Sequence, residues 1–262
     1  MAGWRNHDQT MLAPGFGPAN LMTTSVTQTI DADFTSSMTG ADAADVTILL
    51  IRHGETAWNA ERRLQGHIDI PLNAEGERQA ALLAAALAGE SIDVLVSSDL
   101  MRARQTAGAI AAARAMPLLE DPGLRERNYG GFEGLLYAQI AERYPREFAA
   151  WQAREIDAAV PDAVTAAGTR HGETFRAFYE RATGAILALA ALHPGKTLAL
   201  VAHGGVLECA YRMAQGLPLA TPRDFKVFNA SINRFTVRGG SLRLQSWGEV
   251  AHLRPALIDE LS

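Results

Sequence analysis

The chain has 262 residues, and its 48% hydrophobic and 20% charged content is that of an ordinary globular protein with a buried core. The formal net charge of −5 argues against nucleic acid or an anionic membrane as the main partner, because both favour basic surfaces. The single cysteine, Cys209, rules out an intrachain disulfide and a cysteine-built metal site, and its apolar flanks predict a buried, unreactive thiol. No secretory signal or bilayer-length apolar run is visible, so we expect a cytoplasmic protein.

Residues 1–45 differ in composition from the rest of the chain. They are rich in Thr, Ser, Gly, Ala and Asp and show no hydrophobic periodicity. Such a segment cannot bury enough apolar surface to offset the entropy lost on ordering, which predicts a disordered N-terminal extension. Met22 and Met38 are alternative start residues, so the true translation start stays open, and no function is assigned to the segment.

From residue 46 onward, strand and helix patterns alternate. Continuously apolar or β-branched runs predict strands over 47–51, 93–96, 197–202, 229–237 and 242–247. Ala-rich and amphipathic stretches predict helices over 74–87, 100–115, 175–192 and 206–215, the first with Asn73 as its N-cap. The alternation predicts a single domain over 46–262, of class α/β, with three α/β/α layers and a mainly parallel sheet. The aromatic-containing stretch around 135–170 is expected to form a helical cap.

Polar clusters follow three of the predicted strands. They are Arg52-His53-Gly54-Glu55, Ser97-Ser98-Asp99 with the nearby Arg102, and His203-Gly204-Gly205. Ligands of open α/β sheets bind beyond the carboxyl ends of the strands, so two histidines and two arginines should share one rim. Arginine matches the oxygens of a phosphate, glycines admit a close backbone approach, and histidine acts as nucleophile or acid–base near neutrality. Any one of these residues alone is more commonly structural; their convergence predicts a phosphate or carboxylate site.

Four stretches, in the same order along the chain, resemble the motifs of the histidine phosphatase superfamily, which includes the cofactor-dependent phosphoglycerate mutases. They are LLIRHGETAWN at 49–59, SSDLMRARQTA at 97–107, LRERNYGGFEG at 124–134 and ALVAHGG at 199–205. The resemblance covers residues 46–247 and implies a phosphoglycerate mutase-like fold. It also implies a phosphomonoesterase of the histidine acid phosphatase type that needs no metal and no cofactor.

The resemblance implies a role for each matching residue. His53 would be the nucleophile that forms a phosphohistidine intermediate, and Glu126 would be the general acid, with Glu133 as the rival carboxylate. The transferred phosphoryl group would be surrounded by Arg52, Arg102 and His203. Substrate binding would be completed by Asn59, Gln65 and Gly204, the last at the start of a helix.

Three further residues in or near these motifs are expected to take no part in the reaction. Glu55 and Asp99 are interpreted as structural partners. The segment 170–174, RHGET, repeats the first motif letter for letter, but it follows a predicted loop at 165–169 and opens a helix. His171 is therefore interpreted as a residue of the site's rim and not as a nucleophile.

The choice between hydrolysis and mutase activity depends on few residues. Asn128 and Tyr137 stand where the resembling mutases carry histidine and lysine, and the stretch 135–170 has four arginines and no lysine. This pattern favours a cap over a weakly charged substrate and therefore a phosphatase acting on a small phosphate ester. A bisphosphoglycerate-dependent phosphoglycerate mutase is the alternative, and a non-catalytic phosphate-binding module is a third hypothesis. The sequence leaves open the physiological substrate, any residual mutase activity and whether the chain forms a homodimer.

Overall fold

The computed structural model describes residues 44–166 and 168–254 of the chain. The predicted disordered extension over 1–45 lies outside the described residues, except for Ala44 and Asp45. None of the helices within the described ranges is long and apolar enough to cross a membrane.

A six-stranded sheet forms the centre of the fold. Its strands are β1 (Val46–Arg52), β2 (Val94–Ser97), β3 (Leu119–Glu120), β6 (Thr197–Ala202), β7 (Ile232–Arg238) and β8 (Ser241–Glu249). Their order across the sheet is β3-β2-β6-β1-β7-β8. The strands β3, β2, β6 and β1 pair in parallel, whereas β7 runs antiparallel to both of its neighbours. The sheet is therefore mostly parallel, as predicted.

Helices cover both faces of this sheet. The seven described α-helices are α1 (Ala57–Ala60), α2 (Ala74–Ala86), α3 (Met101–Arg114), α4 (Tyr137–Arg143), α5 (Pro145–Gln152), α6 (Phe175–Leu192) and α7 (Gly204–Gln215). Successive residues of β1 face opposite sides: Ile48 packs in one apolar cluster with residues of α6 and α7, and Leu49 packs in another with residues of α2 and α3. The continuous apolar run of β1 is thus explained by burial on both faces, and the predicted three-layer arrangement is confirmed.

A third apolar cluster lies where the cap was predicted. Helices α4 and α5 occupy this stretch, and Phe132, Ile140 and Phe148 pack together there. The loop predicted at 165–169 is wrong in part, because the structure has a short hairpin of β4 (Ala163–Thr165) and β5 (Gly168–Arg170). The hairpin is exposed, with Val164 85% accessible, so it lacks the buried alternation from which a strand is predicted.

Candidate active site

A cavity of about 540 Å³, which we call the strand-end cavity, opens where β1 and β6 end. Its lining includes seven of the eight residues proposed from the sequence, namely Arg52, His53, Asn59, Gln65, Arg102, Glu126 and Gly204. The eighth, His203, has no exposed surface and does not line the cavity, and its ring centroid lies 5.1 Å from that of His53. The residues that the sequence placed at one rim are therefore brought together.

His53 is held in the tautomer that a nucleophile needs. It follows β1, and its Nδ1 lies 2.6 Å from the carbonyl oxygen of Gly54, an acceptor that only an N–H can satisfy. Nδ1 therefore donates, and Nε2 keeps its lone pair. Burial, together with the positive charges of Arg102 and Arg52, holds the pKa of His53 well below its usual value near 6.5. The ring is consequently neutral at pH 7.

His203 is buried at the N-cap of α7 and contacts the strand-end residues of β2. Its Nε2 lies 2.8 Å from the hydroxyl of Ser98, whereas its buried Nδ1 has no hydrogen-bond partner among the described residues. Burial is the main cause that lowers the pKa of His203 well below its usual value, and nearby Arg102 adds to it. A buried nitrogen without a partner is uncommon, and this one belongs to a ring that lies next to His53.

Arg52, which is half-buried, and Arg102 are cations without a carboxylate ion-pair partner among the described residues. Arg102 is fully buried and donates to the carbonyls of Gly66 at 2.8 Å and Ile68 at 3.3 Å. Arg52 donates to the carbonyl of Val227 at 2.7 Å, and within the described part of the chain the Nε atoms of both arginines lack a hydrogen-bond partner. Burial lowers the pKa of each to about 10, so both stay charged at neutral pH. Two uncompensated charges in one cavity favour a dianion.

The three residues expected to complete substrate binding differ in how firmly they are held. Asn59 forms a reciprocal capping box with Thr56 at the start of α1, which fixes its side chain at the cavity wall. Gln65 is 9% exposed, and its Oε1 has no hydrogen-bond partner in the part of the chain that the structure describes. Gly204 is the first residue of α7, so the positive end of that helix faces the cavity. All three are positioned to contact an anion.

Glu126 and Glu133 occupy different environments. The carboxylate of Glu126 accepts backbone N–H groups from Arg127 at 2.8 Å and Gly205 at 2.9 Å, one on each oxygen, and it lines the cavity. The buried carboxylate of Glu133 accepts four hydrogen bonds, three from backbone N–H groups and one from Arg170 at 2.9 Å. Glu133 does not line the cavity, so the geometry favours Glu126 as the proton donor.

Glu133 instead connects the loops of the site. Its backbone partners are His67, Ile68 and Tyr129, which join the segment that carries Gln65 to the segment that carries Glu126. The Nε2 of His67 in turn lies 2.8 Å from the backbone carbonyl of Glu126. Sequence reasoning did not find His67, because nothing in its flanking residues resembles a motif.

The residues interpreted as outside the chemistry have other partners. Glu55 accepts a hydrogen bond from the Asn73 side chain at 2.9 Å, and Asp99 forms an ion pair with Arg125 at 2.5 Å. The side chain of His171 is 79% exposed and lies 2.9 Å from Asp162, and it lines neither cavity described here. The interpretation of His171 as a rim residue near substrate therefore finds no support in the cavity lining.

A second cavity of about 420 Å³, which we call the side cavity, adjoins the first. Tyr137 lines both cavities, whereas Asn128 lines neither and uses its side chain to accept the N–H of Gly130 at 2.9 Å. The sequence predicted a cap that would cover a weakly charged substrate. In the structure, three arginines and two glutamates line the side cavity. Most of them come from segments outside the stretch 135–170, to which the sequence argument was confined.

Comparison with known proteins decides the family. The profile of the histidine phosphatase superfamily, branch 1, matches residues 48–250, which is most of the chain and includes every residue placed at the strand-end cavity. The chain belongs to the histidine phosphatase superfamily. The chain is also 37% identical to two proteins of Arabidopsis thaliana. One is phosphoglycerate mutase-like protein 4, matched over 81% of this chain and 90% of that protein. The other is a metal-independent phosphoserine phosphatase, matched over 79% of this chain and 82% of that protein.

Solved structures agree with this assignment. The chain superposes on Bacillus stearothermophilus YhfR with a TM-score of 0.71 and 31% sequence identity, over 80% of this chain and all of that one. The fold is therefore of the phosphoglycerate mutase-like type. The relatives include both phosphatases and mutase-like proteins, so membership in the family leaves the reaction to be argued from the site.

Proposed function

We infer that the protein hydrolyses phosphate monoesters through a phosphohistidine intermediate on His53. The observation that carries the inference is the neutral ring of His53, whose Nδ1 donates to Gly54 and whose Nε2 has no hydrogen-bond partner among the described residues. It lies in a cavity with the half-buried Arg52 and the buried Arg102, which have no carboxylate ion-pair partner among the described residues. A phosphate dianion would compensate both charges, and it would place phosphorus in front of a lone pair.

The proposed reaction has two displacements at phosphorus. Nε2 of His53 attacks the phosphorus atom, the ester P–O bond breaks, and the departing oxygen takes a proton from Glu126. Water then attacks the phosphohistidine while Glu126 takes a proton back, and inorganic phosphate leaves with His53 restored. Arg52 and Arg102 stabilise the charge on the equatorial oxygens in both steps, and the Nδ1 of His203 completes the ring of donors when it carries a proton.

Several observations support hydrolysis over mutase activity. Tyr137 lies at the junction of the two cavities, where the resemblance would place a lysine in a mutase. One relative at 37% identity is a metal-independent phosphoserine phosphatase. The alternative, a phosphoglycerate mutase, is favoured by the mutase-like relative at the same identity and by the arginines of the side cavity. Asn128 no longer bears on the choice, because it lies away from both cavities.

The test compares phosphate release with interconversion of 3- and 2-phosphoglycerate, with and without bisphosphoglycerate. We expect phosphate release from a panel of monoesters, with labelled phosphohistidine trapped in the parent enzyme and absent from His53→Ala. His171→Ala is the matched control, because this exposed histidine carries the same flanking motif and should keep full activity. Rapid interconversion with little phosphate release would make the mutase correct, and full turnover by His53→Ala would end the covalent mechanism.

A further inference from the structure

The segment that carries Glu126 has no regular secondary structure of its own. Residues 125–129 belong to no helix or strand and lie between two short 3₁₀ helices. The Glu126 carboxylate accepts two backbone N–H groups, but one of them, that of Arg127, belongs to the same segment. Where the carboxylate lies therefore depends on what holds the backbone of residues 123–128, which we call the acid segment.

Arg181 of α6 binds three backbone carbonyls of the acid segment. Its Nη1 donates to the carbonyls of Gly123 and Arg125, each at 3.0 Å, and its Nη2 donates to that of Glu126 at 3.1 Å. Its other N–H groups bind the carboxylate of Glu173, at 2.8 Å from Nε and 2.7 Å from Nη2. Every N–H of the guanidinium is thus used, which fixes the orientation of this planar group.

Glu173 binds the other end of the acid segment. Its Oε2 accepts the N–H of Asn128 at 2.8 Å, and its own N–H donates to the Asn128 carbonyl at 2.8 Å. Its carbonyl accepts the Nε of Arg127 at 2.9 Å. Glu173 belongs to the stretch 170–174, the second copy of RHGET, and lies just before α6. Together with Arg181, it therefore holds the acid segment at both ends.

The ion pair between Glu173 and Arg181 is largely shielded from water. The two side chains are 21% and 26% exposed. Burial opposes the charge of Glu173, but hydrogen bonds from Arg181 and Asn128 outweigh it and lower the pKa of Glu173 below its usual value. Both members of the pair are consequently charged at neutral pH, and their paired hydrogen bonds hold a fixed geometry.

We propose that Glu173 and Arg181 are positioning residues for the proton donor, which hold the acid segment so that the carboxylate of Glu126 meets the departing oxygen. The proposal rests on the proposed function and gives the second copy of RHGET a role. Neither residue lines either of the two cavities, so both act through the segment that they bind. A displacement of a catalytic group by about 1 Å costs about 100-fold in rate.

Glu133 holds a different part of the site. It accepts the N–H of Ile68, whose carbonyl, with that of Gly66, binds Arg102. Loss of Glu133 should therefore disturb the binding of the phosphoryl group, which all esters share. Loss of Arg181 should instead disturb proton donation, which matters only when the departing oxygen is basic.

The test compares kcat/KM for an alkyl phosphate and a nitrophenyl phosphate in the parent, in Arg181→Met and in Glu173→Gln. The loss for one ester is divided by the loss for the other, so that any general loss of active enzyme cancels. In both variants the alkyl phosphate should lose about tenfold to 100-fold more than the nitrophenyl ester, a part of what a general acid contributes. Glu173→Gln preserves the shape of the side chain and serves should Arg181→Met fail to fold.

A double-mutant cycle shows whether the pair acts through Glu126. In the Glu126→Gln background the proton donor is already lost, so adding Arg181→Met should leave the ratio between the two esters unchanged. A role in the fold alone would slow both esters equally in either background. Equal losses for the two esters in both single variants overturn the proposal, as does a selective loss that persists in the Glu126→Gln background.

Arg176→Met is the matched control. Arg176 lies on the same helix and forms a paired contact with Asp157 at 2.7 and 3.0 Å, but its side chain is 47% exposed. Among the described residues its guanidinium has no hydrogen bond to the acid segment. The ratio between the two esters should therefore keep its parental value in this variant.

Amide hydrogen exchange decides the positioning even without turnover. Because the N–H of Asn128 binds Glu173, its exchange should be about tenfold or more faster in Arg181→Met and parental in Arg176→Met. Parental exchange in Arg181→Met overturns the proposal, and so does an equal acceleration in β1, which would mean general destabilisation. If the parent hydrolyses neither ester, the proposed function fails, and the exchange rates still decide whether the pair holds the acid segment.

Discussion

Replacing Glu126 by glutamine is expected to slow alkyl phosphates far more than a nitrophenyl ester. Each carboxylate oxygen accepts one backbone N–H, from Arg127 or Gly205, so the amide keeps one of these bonds and turns its NH2 group against the other donor. That local penalty, about 1–3 kcal/mol, is the same for every substrate and cancels when two esters are compared on one variant. The difference that remains is protonation of the leaving oxygen, about 10²–10⁴-fold for a basic alkoxide and close to none for nitrophenolate.

The assay measures kcat/KM for both esters on the parent, on Glu126→Gln and on Glu133→Gln. The second variant is the matched control, because Glu133 is a carboxylate of the same loop with four donors that fix it away from the cavity. The loss of kcat/KM in Glu133→Gln should be equal for the two esters, because Glu133 affects the reaction only by placing the loops. Equal losses in Glu126→Gln would refute the acid role, and a selective loss in Glu133→Gln would transfer that role.

Two further predictions concern metal and pH. Dialysis against a strong chelator should leave the rate of hydrolysis unchanged, because Arg52 and Arg102 supply the positive charge. A loss of activity that added magnesium or zinc restores would contradict this. Vanadate should inhibit the enzyme. The free energy of unfolding should decrease as pH falls from 7 to 5, because His53 and His203, whose pKa values are well below 6.5 in the fold, take up protons only on unfolding. Urea titrations at both pH values measure this decrease, which should be smaller in His53→Ala; an equal decrease in that variant would show that other groups cause it.

The strand-end cavity could be predicted because its residues are fixed by topology. Arg52 ends β1, His53 follows it and His203 follows β6; both strands are largely apolar, and parallel strands bring their carboxyl ends to one edge. Arg102 lies at the start of the helix that follows β2, so its position could be predicted from the strand order alone. Local sequence pattern and chain topology point to the same place, and the residues predicted from them were found at one site.

The side cavity could not be predicted in the same way, because its residues come from segments without a regular pattern. Arg223 lies in the loop that follows α7, and Phe175 begins α6 after an exposed hairpin. Glu208 carries a charge on a helix, which by itself predicts a solvent-exposed position, yet it is 8% exposed and buried against arginines. Only the packing of distant segments brings these charges together, and a single sequence contains no periodic signal of that packing.

The electrostatics of the strand-end cavity also explain why the protonation of its histidines would differ between the free enzyme and the enzyme with a bound anion. Burial and the charges of Arg52 and Arg102 keep His53 neutral while the cavity is empty of anions, so its lone pair is available at the moment a substrate arrives. A bound dianion reverses the sign of the nearby charge, and it would raise the affinity of His203 for a proton that its unpartnered Nδ1 can then donate. In the proposed mechanism, the same cations would prepare one histidine to attack and, once compensated, would allow the other to donate.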